Sequence, residues 1–237
     1  MSNQTPPIFL RFIDGMLADG EWLLIESLLK MKTIKKIEEE LKSRPLSKRP
    51  SGEQLQVIED LNATKAITKN LNLLAKDILM ILQALTKVTV KVFSHADMAD
   101  RFAAMLNYFL ESLTGKDRKQ FKTSDPEALS FFPFQILQSL KNIYCCFSEE
   151  RVFLIAVSQD GRSYDPKIFQ EAASILGKKE QVDDFLNFLR DVILTSTEVE
   201  KENNFYADVP DDFLDPLMAT IMRDPVILPS SQQTVDR

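Results

Sequence analysis

Apolar residues recur at spacings of three and four along most of the chain, the period of amphipathic helices rather than the alternation of strands. The first stripe, Ile8, Phe9, Phe12, Ile13, Met16 and Leu17, follows Pro6-Pro7 and predicts a short helix ending near Gly20. A second helix is expected over residues 22–41, with Leu24, Ile25, Leu28, Ile34 and Ile37 inward. The basic, proline-punctuated stretch 42–50 then reads as a mobile loop. Over residues 52–92 no proline or glycine intervenes after Gly52, and Leu61, Ile67, Leu71, Leu74, Ile78, Leu82 and Leu85 predict one long helix. Ala63, Thr64, Thr68 and Asn70 interrupt any strict heptad, which favours packing within the chain over a coiled coil.

The next helix is expected over 97–113, stopped by Gly115 acting as a left-handed C′ residue. Pro133 opens another through Phe147, and Ser148-Glu149-Glu150 reads as a cap for its successor. After a turn at Asp160-Gly161, Ser163 and Pro166 introduce a helix bearing Ile168, Phe169, Ala172, Ile175 and Leu176, closed by Gly177. A last helix is expected over 180–200. Helices joined by short turns build a solenoid or bundle, and without an exact period no repeat family follows from spacing alone. Residues 203–212 are polar and acidic, and Pro210, Pro216, Pro225 and Pro229 recur with no helical period, so a separate small module starts there.

Composition narrows the function. At 237 residues and 44% hydrophobic, the chain can bury a sizeable core. A net charge of −6 argues against a nucleic-acid partner, which needs clustered cations to displace counterions. No apolar run approaches the roughly 20 residues of a membrane span, and no membrane partner is expected. Cys145 and Cys146 are adjacent within a helical apolar run, so their side chains diverge; they read as free, buried thiols suited to a reducing compartment. Flanked by Tyr144 and Phe147, neither has the exposed, electropositive setting a thioester-forming nucleophile needs. His95 is the sole histidine, which excludes a zinc site of the usual cysteine and histidine type; no metal, cofactor or catalytic side chain is expected. Glu149-Glu150 and Asp183-Asp184 read as solvated helix positions, and the basic stretch 42–49 as a solvated loop rather than a nuclear-localisation patch.

The end of the chain carries the most specific words: Asp212-Phe213-Leu214-Asp215-Pro216-Leu217-Met218, then Ile221-Met222-Arg223-Asp224-Pro225-Val226-Ile227-Leu228-Pro229-Ser230, then Thr234-Val235-Asp236-Arg237. From the residues alone, Asp224-Pro225 and Pro229-Ser230-Ser231 are turn formers, and Met222, Val226 and Leu228 alternate, predicting a short hairpin on a small core. These words closely resemble the opening half of a U-box. Among U-box proteins the resemblance is to the ubiquitin conjugation, or chain-elongation, factor family. Upstream, Arg101-Phe102-Ala103-Ala104-Met105-Leu106-Asn107-Tyr108, the run from Arg162 to Ala172 and the words Asp208-Val209-Pro210-Asp211-Asp212 resemble that family's core and linker.

The resemblance implies an all-α, armadillo-like helical-repeat solenoid or bundle over residues 1–202, a linker at 203–208 and the first half of an α+β U-box at 209–237. In such a module hydrogen bonds and salt bridges replace zinc, and Asp224, Ser230, Asp236 and Arg237 are the implied network. The implied partner is a ubiquitin-conjugating enzyme, docked by Leu217 with Pro216 and Met218 beside it, although periodicity alone would put Leu217 in the small core. The implied function is that of a ubiquitin-protein ligase extending chains on ubiquitinated substrate proteins for proteasomal degradation, in cytoplasm and nucleus. It would act by orienting a charged enzyme whose own cysteine does the chemistry. An alternative is a non-catalytic scaffold whose helical core binds an AAA ATPase segregase. Because the resemblance stops at Arg237, where the central U-box helix should begin, the expectation is an incomplete, weakly active chain.

Overall fold

The helical period carries through the computed structural model, which describes residues 8–207, 213–216, 222, 224–229, 231 and 233–236, less the side chains at 117, 203–207 and 236. Among the described residues eight α-helices run in order: α1 (Ile8–Ser43), α2 (Ser51–Val88), α3 (Val90–Phe93), α4 (Ala96–Thr114), α5 (Pro133–Cys145), α6 (Arg151–Gln159), α7 (Pro166–Leu176) and α8 (Asp183–Ala207). Short 3-10 turns lie at Leu46–Lys48 and Lys116–Phe121. Strands β1 (Pro225–Ile227) and β2 (Thr234–Asp236) follow. The all-α fold with a small appended sheet is thus the one expected. Two compact units divide at Ile193–Leu194.

In the first unit the helix expected to stop near Gly20 continues, so that α1 is a single element. Gly20 is buried, and a Cβ there would lie 3.2 Å from Ile78 Cγ1. The glycine therefore serves the close approach of α1 to α2, and packing outweighs its poor helix propensity of about 1 kcal/mol. Ile13 and Leu17 are buried, whereas Ile8, Phe9 and Phe12 are exposed. The apolar stripe at the start of α1 is wider than one neighbouring helix can cover. Trp22 is also exposed.

The buried line of α2 consists of Thr68, Asn72, Ala75, Leu79, Leu82 and Thr86, while Ile67 and Leu74, expected inward, are exposed. Small and polar residues occupy this line because polar groups there are satisfied: Ser27 donates to Asn72, and Asn72 Nδ2 donates to the Leu129 carbonyl at 2.7 Å. The long helix ends earlier than expected. At Thr89 (φ −128°, ψ 40°) amide and hydroxyl both donate to the Leu85 carbonyl at 2.8 Å, and α3 starts afresh. The β-branched residues Val88, Thr89, Val90 and Val92 weaken helix propensity at this point.

The stretch 42–50, expected to be a mobile loop, is built around Arg49. Its side chain is buried and pairs with Glu40 at 2.8 Å and Glu53 at 2.9 Å. The hydrogen bond to Glu40 leads in raising the guanidinium's affinity for its proton, against the opposing effect of burial, and the Glu40 and Glu53 charges reinforce it.

Around α4 the core is aromatic. Tyr144 on α5 lies 5.2 Å from both Phe169 and Phe188, ring centre to ring centre, and 6.0 Å from Phe185. Its hydroxyl donates to Asn107 Oδ1 at 2.8 Å, and Asn107 Nδ2 donates to the Val157 carbonyl at 3.1 Å and Asp160 Oδ2 at 3.0 Å. This buried network ties α4, α5 and the end of α6 together. Ser148 does not cap α6: Glu150 holds the N-cap position without a side-chain bond to the helix, and its carboxylate pairs with Lys91 at 2.7 Å. Gly115 closes α4 with φ −68°, not in a left-handed conformation; a Cβ there would meet the Glu111 carbonyl oxygen at 2.7 Å. α8 begins at Asp183, slightly later than expected, and continues to Ala207.

Candidate functional site

The second unit holds the words on which the functional reading rests. Pro225 opens β1 directly after Asp224, and β1 pairs antiparallel with β2 in the register Pro225↔Asp236, Val226↔Val235, Ile227↔Thr234. Side chains alternate across a strand, so Val226 and Val235 share one face. Val235 is buried and Val226 half-buried, while Pro225, Ile227 and Thr234 are exposed. The Leu228 amide donates to the Gln233 carbonyl at 2.9 Å, extending the pairing one step, and the Gln233 amide donates to Ser231 Oγ at 3.4 Å within the turn. The hairpin expected from the turn formers is present. Leu228 departs from expectation: at 37% exposed, just past the end of β1, it lies outside the core.

Upstream, the Met222 amide donates to the Phe213 carbonyl at 3.0 Å, which brings the two ends of the 213–222 segment together. Leu214 and Met222 are half-buried, Phe213 is 61% exposed and Pro216 is exposed in a turn. Between them Asp215 is buried at 3% relative exposure, and it is partnered. A carboxylate is not buried without compensation, so Asp215 belongs to the polar framework of this small module.

Of the residues singled out from the sequence, Pro216 is a solvent-facing turn residue, and Asp224 is exposed yet partnered. Asp236 lies in β2, with its side chain outside what is described. Leu217, Met218, Ser230 and Arg237 lie outside the described residues. Sequence reasoning missed Asp215 and Val235. The signal for Asp215 was its place before Pro216 in an otherwise apolar word; Val235 needed the register of the hairpin.

The other chemistry-bearing residues sit in the first unit. Cys145 and Cys146 are half-buried free thiols against the core, and Cys146 Sγ donates to the Asn142 carbonyl at 3.2 Å. Burial, partly offset by the Lys141 charge, pushes the Cys145 thiol up to about 11, so it stays protonated near neutrality and is a poor nucleophile. His95 caps α4, its Nδ1 accepting from the Asp97 amide at 3.4 Å. Among the described residues no three His, Cys, Asp or Glu side chains cluster to hold a metal ion, and no helix is long and apolar enough to cross a membrane. What the second unit offers is therefore a surface: an exposed proline turn, with Phe213, Ile227 and Leu228 as exposed apolar side chains on a hydrogen-bonded hairpin module.

Comparison with known proteins assigns both units. The family described as "Ubiquitin elongating factor core" matches residues 1–193, and the U-box domain family matches residues 209–237. The chain is 35% identical over 244 residues to the E4 ubiquitin-protein ligase UFD2 of Saccharomyces cerevisiae, covering 100% of this chain and 25% of that protein. It is 33% identical over 248 residues to the ubiquitin conjugation factor E4 A of Bos taurus, covering 100% of this chain and 23% of that one. With the ubiquitin conjugation factor E4 of Schizosaccharomyces pombe it shares 34% identity over 240 residues, covering 98% and 23%. The chain thus spans about a quarter of the length of the curated relatives it matches.

Proposed function

The chain belongs to the ubiquitin elongating factor core family and carries a U-box match behind that core, and from this premise we propose that it works as a ubiquitin-protein ligase that lengthens ubiquitin chains. In this reading the U-box segment docks a charged ubiquitin-conjugating enzyme, and the helical core carries a substrate already bearing ubiquitin toward proteasomal degradation. The catalytic cysteine is the partner's. The contribution of this chain is orientation, which converts an encounter of thioester and acceptor lysine into a positioned reaction.

The observation that carries the proposal is the U-box match over 209–237, a segment with a backbone-paired hairpin and a buried, partnered Asp215. Pro216, Leu217 and Met218 are the proposed contacts, with Leu217 the anchor; Asp224, Ser230, Asp236 and Arg237 are the proposed polar framework. The exposed turn at Pro216 and the protonated Cys145 support a docking role over a thioester-forming one. Cytoplasm and nucleus, where free thiols persist, are the proposed setting.

NMR titration with a conjugating enzyme, beside a reconstituted reaction on a ubiquitin-bearing acceptor, tests this. Leu217→Ala is expected to weaken enzyme binding roughly tenfold, as truncation of an interface anchor does, and to slow chain growth while helix melting stays unchanged. Absence of enzyme binding and of chain growth overturns the proposal. Retention of an AAA ATPase segregase by a protein that neither binds the enzyme nor extends chains favours the scaffold reading instead.

A further inference from the structure

In an acidic chain with net charge −6, residues 116–122 gather Lys116, Arg118, Lys119 and Lys122 against the single carboxylate of Asp117. The structure places this stretch in a 3-10 turn, Lys116–Phe121, with Lys122 as its C-cap. Such a turn has three residues per turn, and Lys119 and its C-cap Lys122, three positions apart, line one and the same cleft, whereas Lys116 lines a second. Like charges so placed repel unless an anion lies beside them.

The cleft that Lys119 and Lys122 line has a volume of about 460 Å³, within the range of roughly 300–1,000 Å³ that ligand sites occupy. Leu113, Phe121 and Phe131 give it an apolar floor, and among the described side chains its charged lining residues are Arg118, Lys119 and Lys122. Arg118 is paired with Glu171 at 2.9 Å. Lys119 and Lys122 are exposed and, among the described residues, have no carboxylate within ion-pair distance. A second cleft that shares Phe121 is lined by Lys32, Lys116, Arg162 and Lys167 together with Glu111, Asp165 and Glu171. Two of its three carboxylates are engaged: Asp165 accepts from the Lys167 amide at 2.8 Å, and Glu171 holds Arg118.

We propose that the cleft lined by Lys119 and Lys122, with its apolar floor and cationic rim, docks an acidic peptide segment that inserts an apolar anchor residue. Charge complementarity selects the acid residues of the partner, and the Leu113, Phe121 and Phe131 floor selects the anchor. The surface lies wholly in the helical core and takes no residue from the U-box segment, so it is independent of the ligase reading.

Fluorescence anisotropy of the full chain with a labelled octapeptide, Glu-Asp-Glu-Phe-Leu-Glu-Asp-Glu, provides the test. Lys119→Glu with Lys122→Glu is expected to weaken binding at least tenfold, and the double glutamine variant by a smaller factor. The matched control Lys65→Glu with Lys69→Glu on α2 should stay within twofold. Replacing Phe-Leu of the peptide by Ala-Ala should also weaken binding about tenfold, and added salt should weaken it further. Because Lys119 and Lys122 are exposed, thermal melting of both variants should match the unchanged chain. The proposal is overturned if the peptide does not bind, if both Lys119/Lys122 variants bind like the unchanged chain, or if the Ala-Ala peptide binds equally well. It is also overturned if a single-stranded oligonucleotide or a phosphatidylserine vesicle binds more tightly with the same sensitivity to those variants.

Discussion

Tyr144 combines two demands that a phenylalanine would meet only in part: it fills an aromatic centre, and its hydroxyl satisfies Asn107. Burial, helped by the Asp160 carboxylate, holds that hydroxyl well above its ordinary range, so it is a donor throughout the neutral range. Tyr144→Phe keeps the ring contacts but strips Asn107 Oδ1 of its partner. The expected loss is about 1–3 kcal/mol of unfolding free energy, read as a lower urea midpoint at unchanged slope. Asn107→Ala should be worse, since it also abandons the Val157 carbonyl and Asp160. The residue scale is where the sequence was hardest to read in the second unit. Asp215 and Val235 matter there because of where the chain folds back, and neither stands out in a word of mixed prolines and acids. By contrast, the packed surroundings of Cys145 followed directly from its apolar neighbours.

Among the elements, helix existence was legible and helix ends were not. Periodicity identifies a face, but whether Gly20 stops a helix or seats one against another depends on Ile78, fifty-eight positions away in sequence. Gly20→Leu should force α1 and α2 apart and destabilise by about 1–3 kcal/mol, whereas Gly20→Ala should be close to neutral, its gain in helix propensity offset by the contact with Ile78. Circular-dichroism melts of the two variants distinguish this role from that of a left-handed helix terminator, for which both substitutions would cost a similar amount of about 1 kcal/mol. The stripe of α2 was misread for a related reason: large aliphatics draw attention, while the closely packed line uses Thr68, Asn72 and Ala75. Arg49 makes the same point about the 42–50 stretch, where basic residues and prolines look like solvated loop until Glu40 and Glu53 are brought to the guanidinium. Arg49→Ala should open that stretch, seen as faster tryptic cleavage after Lys48 than in the unchanged chain.

At the scale of the whole molecule, several protons held more tightly in the folded state set an alkaline limit. Burial is the leading cause in each case: Cys145 rises from an ordinary value of 9.0 to about 11, and Tyr164 from 10.0 to about 12 with the Asp165 charge assisting. The unfolded chain releases these protons first, so their contribution to stability is complete below about pH 9 and is lost as pH climbs toward 12. Urea midpoints should therefore fall across that window, and Tyr164→Phe should flatten the upper part of the fall. A midpoint that stays level up to pH 12 would contradict it. The single tryptophan sets a practical condition on every such measurement. With its indole 58% exposed on α1, Trp22 already emits from a largely aqueous setting in the native protein. Its fluorescence is nearly blind to collapse of the phenylalanine and tyrosine centre, and an optical assay of that centre needs a tryptophan placed inside it, for example at Phe185.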